Sequence, residues 1–497
     1  MGAKKEKLEV SIPGAIPFHD QHKEAYLWHN GRCISMASQA FRHLLIGQIL
    51  ADGKECPSPA DLKTYIFEHS ARAVHQGPQH HLSIRVAEQQ GAFLYDLAQD
   101  RAVQTTAEGW GIIPTPITFY SLVHQQPQAL PILGGSPWRV FEFLNVAQED
   151  QLLMLVVLVS AFVPGIPRVV ILFLGDKGSA KSVTTKVMKD LCDPSTLHYV
   201  SAPTSSREFE QLLSHHHCIA LDNLSALRSW ASDLIAQAAT GSSLSKRKLY
   251  SDDDDIVRSI NPVVIINGIS ALAWKPDLLD RTLLFKFSRI PNERRRSHQE
   301  LWQGFLNAKP EILGGIFDTL ARAMAIKPTL EFTRLPRMAD FAEWGYAIAE
   351  ALGGRGNEFA ADLSRFIERQ TEEIFSANTL AQALIKEMQH REEWNTRVGE
   401  AYTVLNRTAN KPGKHDPTFP RRNSDLLDHL ARIRPDLEAR GISYVAGVHG
   451  PTGRPIQFRR SASQASGACI ALETKDKTAI ELAPDSPAEA DEAHKEE

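Results

Sequence analysis

The stretch Leu172 to Lys186, LFLGDKGSAKSVTTK, constrains this chain more than any other. A buried apolar run leads into a Gly-containing turn and then a helix-forming segment opening on Lys-Ser, the context that a phosphate-binding loop requires. Gly175 and Gly178 permit a tight turn, so that the N–H groups of Asp176, Lys177, Gly178, Ser179, Ala180, Lys181, Ser182 and Val183 point at phosphate oxygens with a helix N-terminus behind them. Lys181 is expected to neutralise the terminal phosphates of ATP, and the Ser182 hydroxyl to ligate Mg2+. Ala180 replaces the second glycine of the usual pattern, a small residue for a small residue.

Such a loop needs a parallel sheet. From Arg168 to Phe287 the β-branched runs RVVILFL, HYVSA, CIALD, PVVIIN and LLFKF alternate with helical segments, the pattern of an α/β fold with helices on both faces. Asp222 closes CIALD, forty-one residues after Lys181, where an acid holds magnesium through water. Asn223 follows at the place where a catalytic glutamate is common; an amide orients a water but does not take its proton. Asn267 ends PVVIIN and is expected beside the terminal phosphate and the attacking water. Arg281, fourteen residues on, has two readings: a finger that stabilises charge at a neighbouring subunit's nucleotide, or a salt bridge with Asp280 or Asp277.

At 497 residues the chain holds several units. We expect disorder over 1–15 and a small α+β accessory domain over 16–130, with a helix at Pro59 to Val74 and a meander built from LSIRVA, AFLYDL, AVQTTAEGW and ITFYSLV. Asp96 and Asp100 read as solvated strand-end acids rather than a primase carboxylate pair. After the linker-like LPILGGSP come the core at 138–290, a helical segment at 291–375, a C-terminal unit at 376–460 and a disordered acidic tail at 461–497. The apolar stretch Leu152 to Leu174 is broken by Pro164, Gly165, Pro167 and Arg168, so it reads as a buried helix and then a buried strand, not a membrane span. Five cysteines without paired or metal-like spacing and an N-terminus without a signal suit a cytoplasmic chain with free thiols and no zinc. The net charge of -4 says nothing about partners.

The charge distribution says more. Residues 376–460 hold 14 Lys/Arg and 9 Asp/Glu, whereas the following tail holds 3 and 9. Within them, Leu380 to Arg391, Arg397 to Asn406 and Ser424 to Ile433 read as helices, and ISYVAGV and PIQFRR as a hairpin around HGPTGR. That is winged-helix order, with Thr396 and Asn423 as N-caps and Trp394, Leu426, Leu427 and Leu430 in the core. Arg421, Arg422 and Arg432 at the third helix and Arg454 on the wing are candidates for phosphate contacts on duplex DNA. A protein-contact or structural role is the alternative for such a unit.

The order of phosphate loop, LDN strand, basic insert, Asn-ended strand and arginine resembles the AAA+ ATPases, and within them the superfamily 3 helicases and related ATPases of phage, plasmid and integrative-element replication. LGDKGSAKS, ALDNLS, TGSSLSKRKLYSDDDD, INGI, DLLDRT and PRMADFAEWG are similar to stretches of mobile-element ATP-binding proteins, some of them fused to primases; the likeness covers Trp138 to Arg460. It implies a homo-oligomeric ring, commonly a hexamer, that moves along DNA, with 291–375 as the helical lid. It also implies that Thr240 to Ser259 forms a hairpin in the ring channel, where Lys246, Arg247 and Lys248 would meet single-stranded DNA and the tip would lie at this basic end rather than at Asp252 to Asp255. The bland alternative is a solvated loop whose opposite charges pair with each other. Arg337, at the start of a lid helix, is a candidate to reach back to the nucleotide. A replicative DNA helicase is one function that fits; a nucleotide-gated DNA-binding or signalling switch is the other, favoured by Asn223.

Overall fold

The computed structural model describes residues 11–461 apart from 202, 225–226, 242, 248–254, 260, 269–274, 411, 413–415, 417, 449 and 452, and also 473–474. It is a mixed α/β chain. Strands β1 (Ile16–His19), β2 (Ala25–His29) and β3 (Arg32–Ser35) form an antiparallel sheet beside helices α1 (Gln39–Ala51) and α2 (Pro59–His75). Ser38 and Ser58 cap the two helices by accepting from the N–H groups of Phe41 and Asp61. Ile12 is buried in this small core, so the stretch expected to be disordered is ordered at its end; residues 1–10 lie outside the described residues.

The expected meander forms as β4 (Val86–Gln89), β5 (Ala92–Ala98), β6 (Arg101–Thr106) and β7 (Gly109–Pro114). AVQTTAEGW divides between β6 and β7, and ITFYSLV is not a strand; it joins the rest through a Ser83–Phe119 bridge, with Tyr120 donating to Asp20 and Ser121 accepting from Cys33 N–H. The meander is also not a separate accessory body. Val86, Phe93, Tyr95, Leu97 and Val103 belong to one apolar core with the central helix and sheet described next. The LPILGGSP segment therefore crosses a continuous core.

At the centre lies α3 (Gln151–Ser160), whose residues from Leu152 onward are all buried, as an all-apolar helix demands. Around it run β8 (Val170–Gly175), α4 (Lys181–Cys192), α5 (Ser206–His215), β9 (Cys218–Leu224), α6 (Ser229–Ala239), the hairpin β10 (Ser243–Arg247) and β11 (Asp255–Ser259), β12 (Val263–Gly268), α7 (Pro276–Leu279) and β13 (Thr282–Phe287). The main sheet is parallel, in the order β13-β8-β12-β9. The split of Leu152 to Leu174 into buried helix and buried strand is as expected.

Beyond it come α8 (His298–Ile326), β14 (Phe332–Arg334), α9 (Ala339–Ala351) and α10 (Gly356–Ser376). Ser297 and Glu300 start α8 with a reciprocal capping box. Gln370 of α10 completes the free edge of β13, accepting from Leu284 N–H and donating to the Thr282 carbonyl. The last unit has its own core, from α11 (Thr379–Met388), β15 (Glu393–Arg397), α12 (Val398–Thr408), α13 (Leu426–Arg432), α14 (Arg434–Ala439), β16 (Ile442–Ala446) and β17 (Pro455–Arg460). Strand β15 was not foreseen; it pairs with β17, and Trp394 stacks on Phe458. Neither expected N-cap holds: Arg397 and Asp425 occupy those places, and Thr396 instead donates to Glu400. The acidic tail returns at β18 (Glu473–Thr474) to pair with β14, and its other residues past Ser461 lie outside the described set.

Candidate active site

The phosphate loop follows β8 directly. Gly175 has φ 152°, and a Cβ there would lie 2.4 Å from the Phe287 carbonyl oxygen, so only glycine fits where β13 crosses the loop. Gly178 is left-handed at φ 81°. Ala180 is left-handed too, at φ 63°, just where the usual pattern has glycine. The replacement of glycine by alanine therefore carries a backbone cost of about 1–2 kcal/mol. Lys181 turns its ammonium onto its own loop, donating to the carbonyls of Gly175 (2.5 Å) and Asp176 (2.9 Å). Asp176 and Lys177 are exposed, while Ser179 is buried and donates to the Asp176 carbonyl.

Three expected residues meet at the strand ends. Asn267, 4% exposed, donates through Nδ2 to Asp222 Oδ1 at 2.6 Å and to Ser182 Oγ at 3.1 Å; Ser182 Oγ lies 3.5 Å from the same carboxylate oxygen. The parallel registers that bring Ile265 beside Ile171 and Ala220 put these residues in one place. A hydroxyl and a carboxylate at this spacing are hard oxygen donors of the kind Mg2+ prefers, so the donor set fits that ion. Val183 is half-buried on the first turn of α4. Asn223 is on β9, but its side chain lies outside the described residues.

Sequence reasoning missed three neighbours. Tyr199 donates its hydroxyl to the Ser182 carbonyl, and burial, with the Asp222 charge second, pushes its phenol up to about 12. Asn145 donates to the carbonyls of Ser179 and Ser288, tying the loop to the segment after β13. Arg295 reaches over the loop: a Cβ on Gly178 would lie 3.4 Å from its Nη2. The only signal in the chain was the run ERRR after the last strand of the sheet.

Arg281 is not part of this cluster. It precedes β13, with its carbonyl accepting from Val170 N–H at the start of β8, the end of the sheet away from the loop. The intervening strand is roughly 20 Å long. Arg281 Nη1 bonds Asp277 at 3.1 Å, one of the two alternatives read from the sequence. Arg337 does not reach the phosphate loop; it pairs with Asp277 and Asp280.

The opposite end of α4 is held by a buried strut. Asp193 accepts from Arg85 Nε at 2.9 Å and from the N–H groups of His217 and Cys218 at the root of β9. Lys189 of α4 donates to the Cys218 carbonyl at 2.7 Å. Burial alone would raise the Asp193 pKa, but Lys189, Arg85 and His217 outweigh it and hold the carboxyl well below the usual range. Arg85 also donates to the carbonyls of Asp96, Gln126 and Pro194. One guanidinium thus ties the meander, the phosphate-loop helix and the strand of Asp222 together.

The basic candidates lie elsewhere. β10 pairs with β11 in the register Lys246 to Ile256 and Arg247 to Asp255. The expected basic tip, with Lys248 and Asp252 to Asp254, lies outside the described residues. Arg421, Arg422 and Arg454 are exposed on the last unit, around the start of α12: Tyr402 donates to the Arg421 carbonyl and Val398 N–H to that of Arg454. Arg432 is different, because it lines a cavity facing α10 and the start of β13. No helix among the described residues is long and apolar enough to cross a membrane.

Residues 138–359 match the family model described as "Actinomycete integrative conjugative element replication protein", and residues 380–474 match that of the RepA C-terminal domain of these elements. No curated protein matches the chain. Among solved structures, an apo form of the NrS-1 C-terminal region is 11% identical, with 90% of this chain and 97% of that one covered and a TM-score of 0.43. SCCmec type IV Cch, described as an active helicase, is 12% identical, with 90% and 92% covered and a TM-score of 0.46.

Proposed function

We propose, from the premise that the chain belongs to the replication-protein family of actinomycete integrative conjugative elements, that it is an AAA+ ATPase driving a replicative DNA helicase. The observation that carries the reading is the meeting of Ser182, Asp222 and Asn267 beside Lys181 at the ends of parallel strands. In this reading Lys181 exchanges its loop carbonyls for phosphate oxygens of ATP, and the N–H groups from Asp176 to Val183 hold the phosphates. Ser182 and Asp222 would hold Mg2+. Mg2+, when bound, would neutralise charge on the phosphate oxygens. Asn267 fixes Asp222 and orients the attacking water.

Asn223 cannot accept the proton of that water, so an isolated chain turns over slowly. Arg281, roughly a strand's length from its own loop, is suited to a neighbour's nucleotide, which makes the active form a ring, a hexamer in our reading. The lid is 291–375, and the unit at 376–460 is a winged helix that grips duplex phosphates through Arg421, Arg422 and Arg454. Lys246, Arg247 and Lys248 face single-stranded DNA in the channel.

The test is ATP hydrolysis by the wild type and Lys181→Ala, with and without single-stranded and duplex DNA at two salt concentrations. We expect DNA-stimulated turnover that weakens with salt and falls by about 100-fold or more in the variant. Asn223 favours a second reading, a nucleotide-gated DNA-binding switch. Lys181-dependent turnover indifferent to DNA would support it, and an absence of unwinding on a tailed duplex would remove the helicase.

A further inference from the structure

Where the start of β13, the lid helices and the C-terminal unit meet, the chain encloses a cavity of about 380 Å³. That is the scale of pockets that hold small organic ligands. Its wall is apolar, with Leu283 of β13, Phe341 of α9, Leu363 and Ile367 of α10 and Ile433 beside α13. Its polar lining is unbalanced: the guanidinium groups of Arg281, Arg337 and Arg432 stand against the carboxylates of Asp280 and Asp436. Arg337 is answered by Asp277 and Asp280, and Nη1 of Arg281 by Asp277. Among the described residues the Nε of Arg281 is buried without an acceptor. The lining therefore combines an apolar wall with a surplus of guanidinium over carboxylate. An apolar body that carries one anionic head matches both halves of that chemistry.

We propose that this cavity binds a small amphipathic anion, an aryl or branched alkyl group bearing a carboxylate, sulfonate or phosphate. The head pairs with the guanidinium groups of Arg281 and Arg432; the body lies on Leu283, Phe341 and Ile367. The site shares no residue with the phosphate loop. A ligand there joins sheet, lid and C-terminal unit, and holds Arg281 inside its own chain. It therefore inhibits the assembled ring, a consequence that rests on the trans role given to Arg281 above.

The probe is 8-anilinonaphthalene-1-sulfonate, an aryl group with one sulfonate, titrated by fluorescence into the full chain with saturating Mg2+ and ATP analogue present. We expect saturable binding of one probe per chain, weakened about tenfold or more in Ile367→Trp, which fills the wall, and also in Arg432→Gln. Near-ultraviolet circular dichroism and the melting temperature of each variant show that it is folded. If Ile367→Trp does not fold, Thr371→Trp on the rim of the same cavity takes its place. Absent or non-saturable binding, displacement by the nucleotide analogue, or binding unchanged in the filled variant overturns the proposal. Saturable, variant-sensitive binding that leaves ATP turnover unchanged upholds the site and removes the trans role of Arg281.

Discussion

Ala180 shows what a single residue costs. It holds a left-handed backbone that alanine adopts only under constraint, at the base of the loop that cradles the phosphates. Ala180→Gly relieves that strain and gives back part of the gain through the greater freedom of glycine in the unfolded chain. The net expectation is a stabilisation of about 0.5–1 kcal/mol, read from urea unfolding. An unchanged or lowered midpoint would show that the loop relaxes around alanine without strain. The glycines, Lys181 and Ser182 were legible in the sequence because the loop is local: strand, turn and helix follow one another within fifteen residues. Asp222 and Asn267 were legible because each ends an apolar strand, and strand ends of a parallel sheet converge. Arg295 and Tyr199 were not, since neither lies in a pattern that periodicity detects, and both are brought to the loop by connections of irregular structure.

At the level of elements, α4 is held at both ends, by the phosphate-loop turn at one and by the Arg85–Asp193 pair at the other. Removing one partner of a fully buried ion pair leaves the other without compensation. Arg85→Ala should therefore cost about 3–5 kcal/mol in chemical unfolding. The double variant Arg85→Ala/Asp193→Asn should lose less than the two single losses added together. Strict additivity would mean that the two residues act independently. The root of β9 adds a pH dependence. Burial, with His124 next for His216 and Arg168 next for His217, brings both imidazoles down to about 3 from an ordinary 6.5. Between those values the unfolded chain binds protons that the folded chain excludes, so stability falls as pH drops from 6.5 towards 3. The depressed Asp193 carboxyl acts in the same direction below the usual carboxylate range. Melting temperatures across this window should decline less steeply in His216→Gln than in the wild type; parallel curves would assign the acid sensitivity to other groups. None of this network could be read from the sequence, because Arg85 and Asp193 are separated by more than a hundred residues and nothing in their local patterns marks them as partners.

For the whole molecule, the separation of Arg281 from the phosphate loop of its own chain sets up a mixing experiment. Arg281→Ala keeps an intact loop, and Lys181→Ala keeps an intact Arg281. If the two act across an interface, an equimolar mixture should recover a measurable part of wild-type ATP turnover where each variant alone has little. Mixtures no more active than their components would argue that each chain works alone. The C-terminal unit was largely legible in order and core, since its helices and hairpin are consecutive. Its third strand was hidden by Glu392 and Glu393, which break the apolar pattern. The course of β18 back onto β14 could not be foreseen from a tail whose composition reads as unstructured.

The meander that shares the central core bears on how such chains are inherited. Elements that travel between genomes exchange segments, and a cut is tolerated where few apolar contacts cross it. A crossover near residue 130, where composition alone suggests a joint, would strip Phe93, Tyr95 and Val103 from the core they share with the central helix and leave Asp193 without Arg85. A crossover between α2 and β4 leaves the first small core whole and parts only the small cluster of Phe18, Tyr26 and Cys33 with Leu82. On this packing, foreign N-terminal modules are to be sought grafted upstream of Leu82 rather than at the linker.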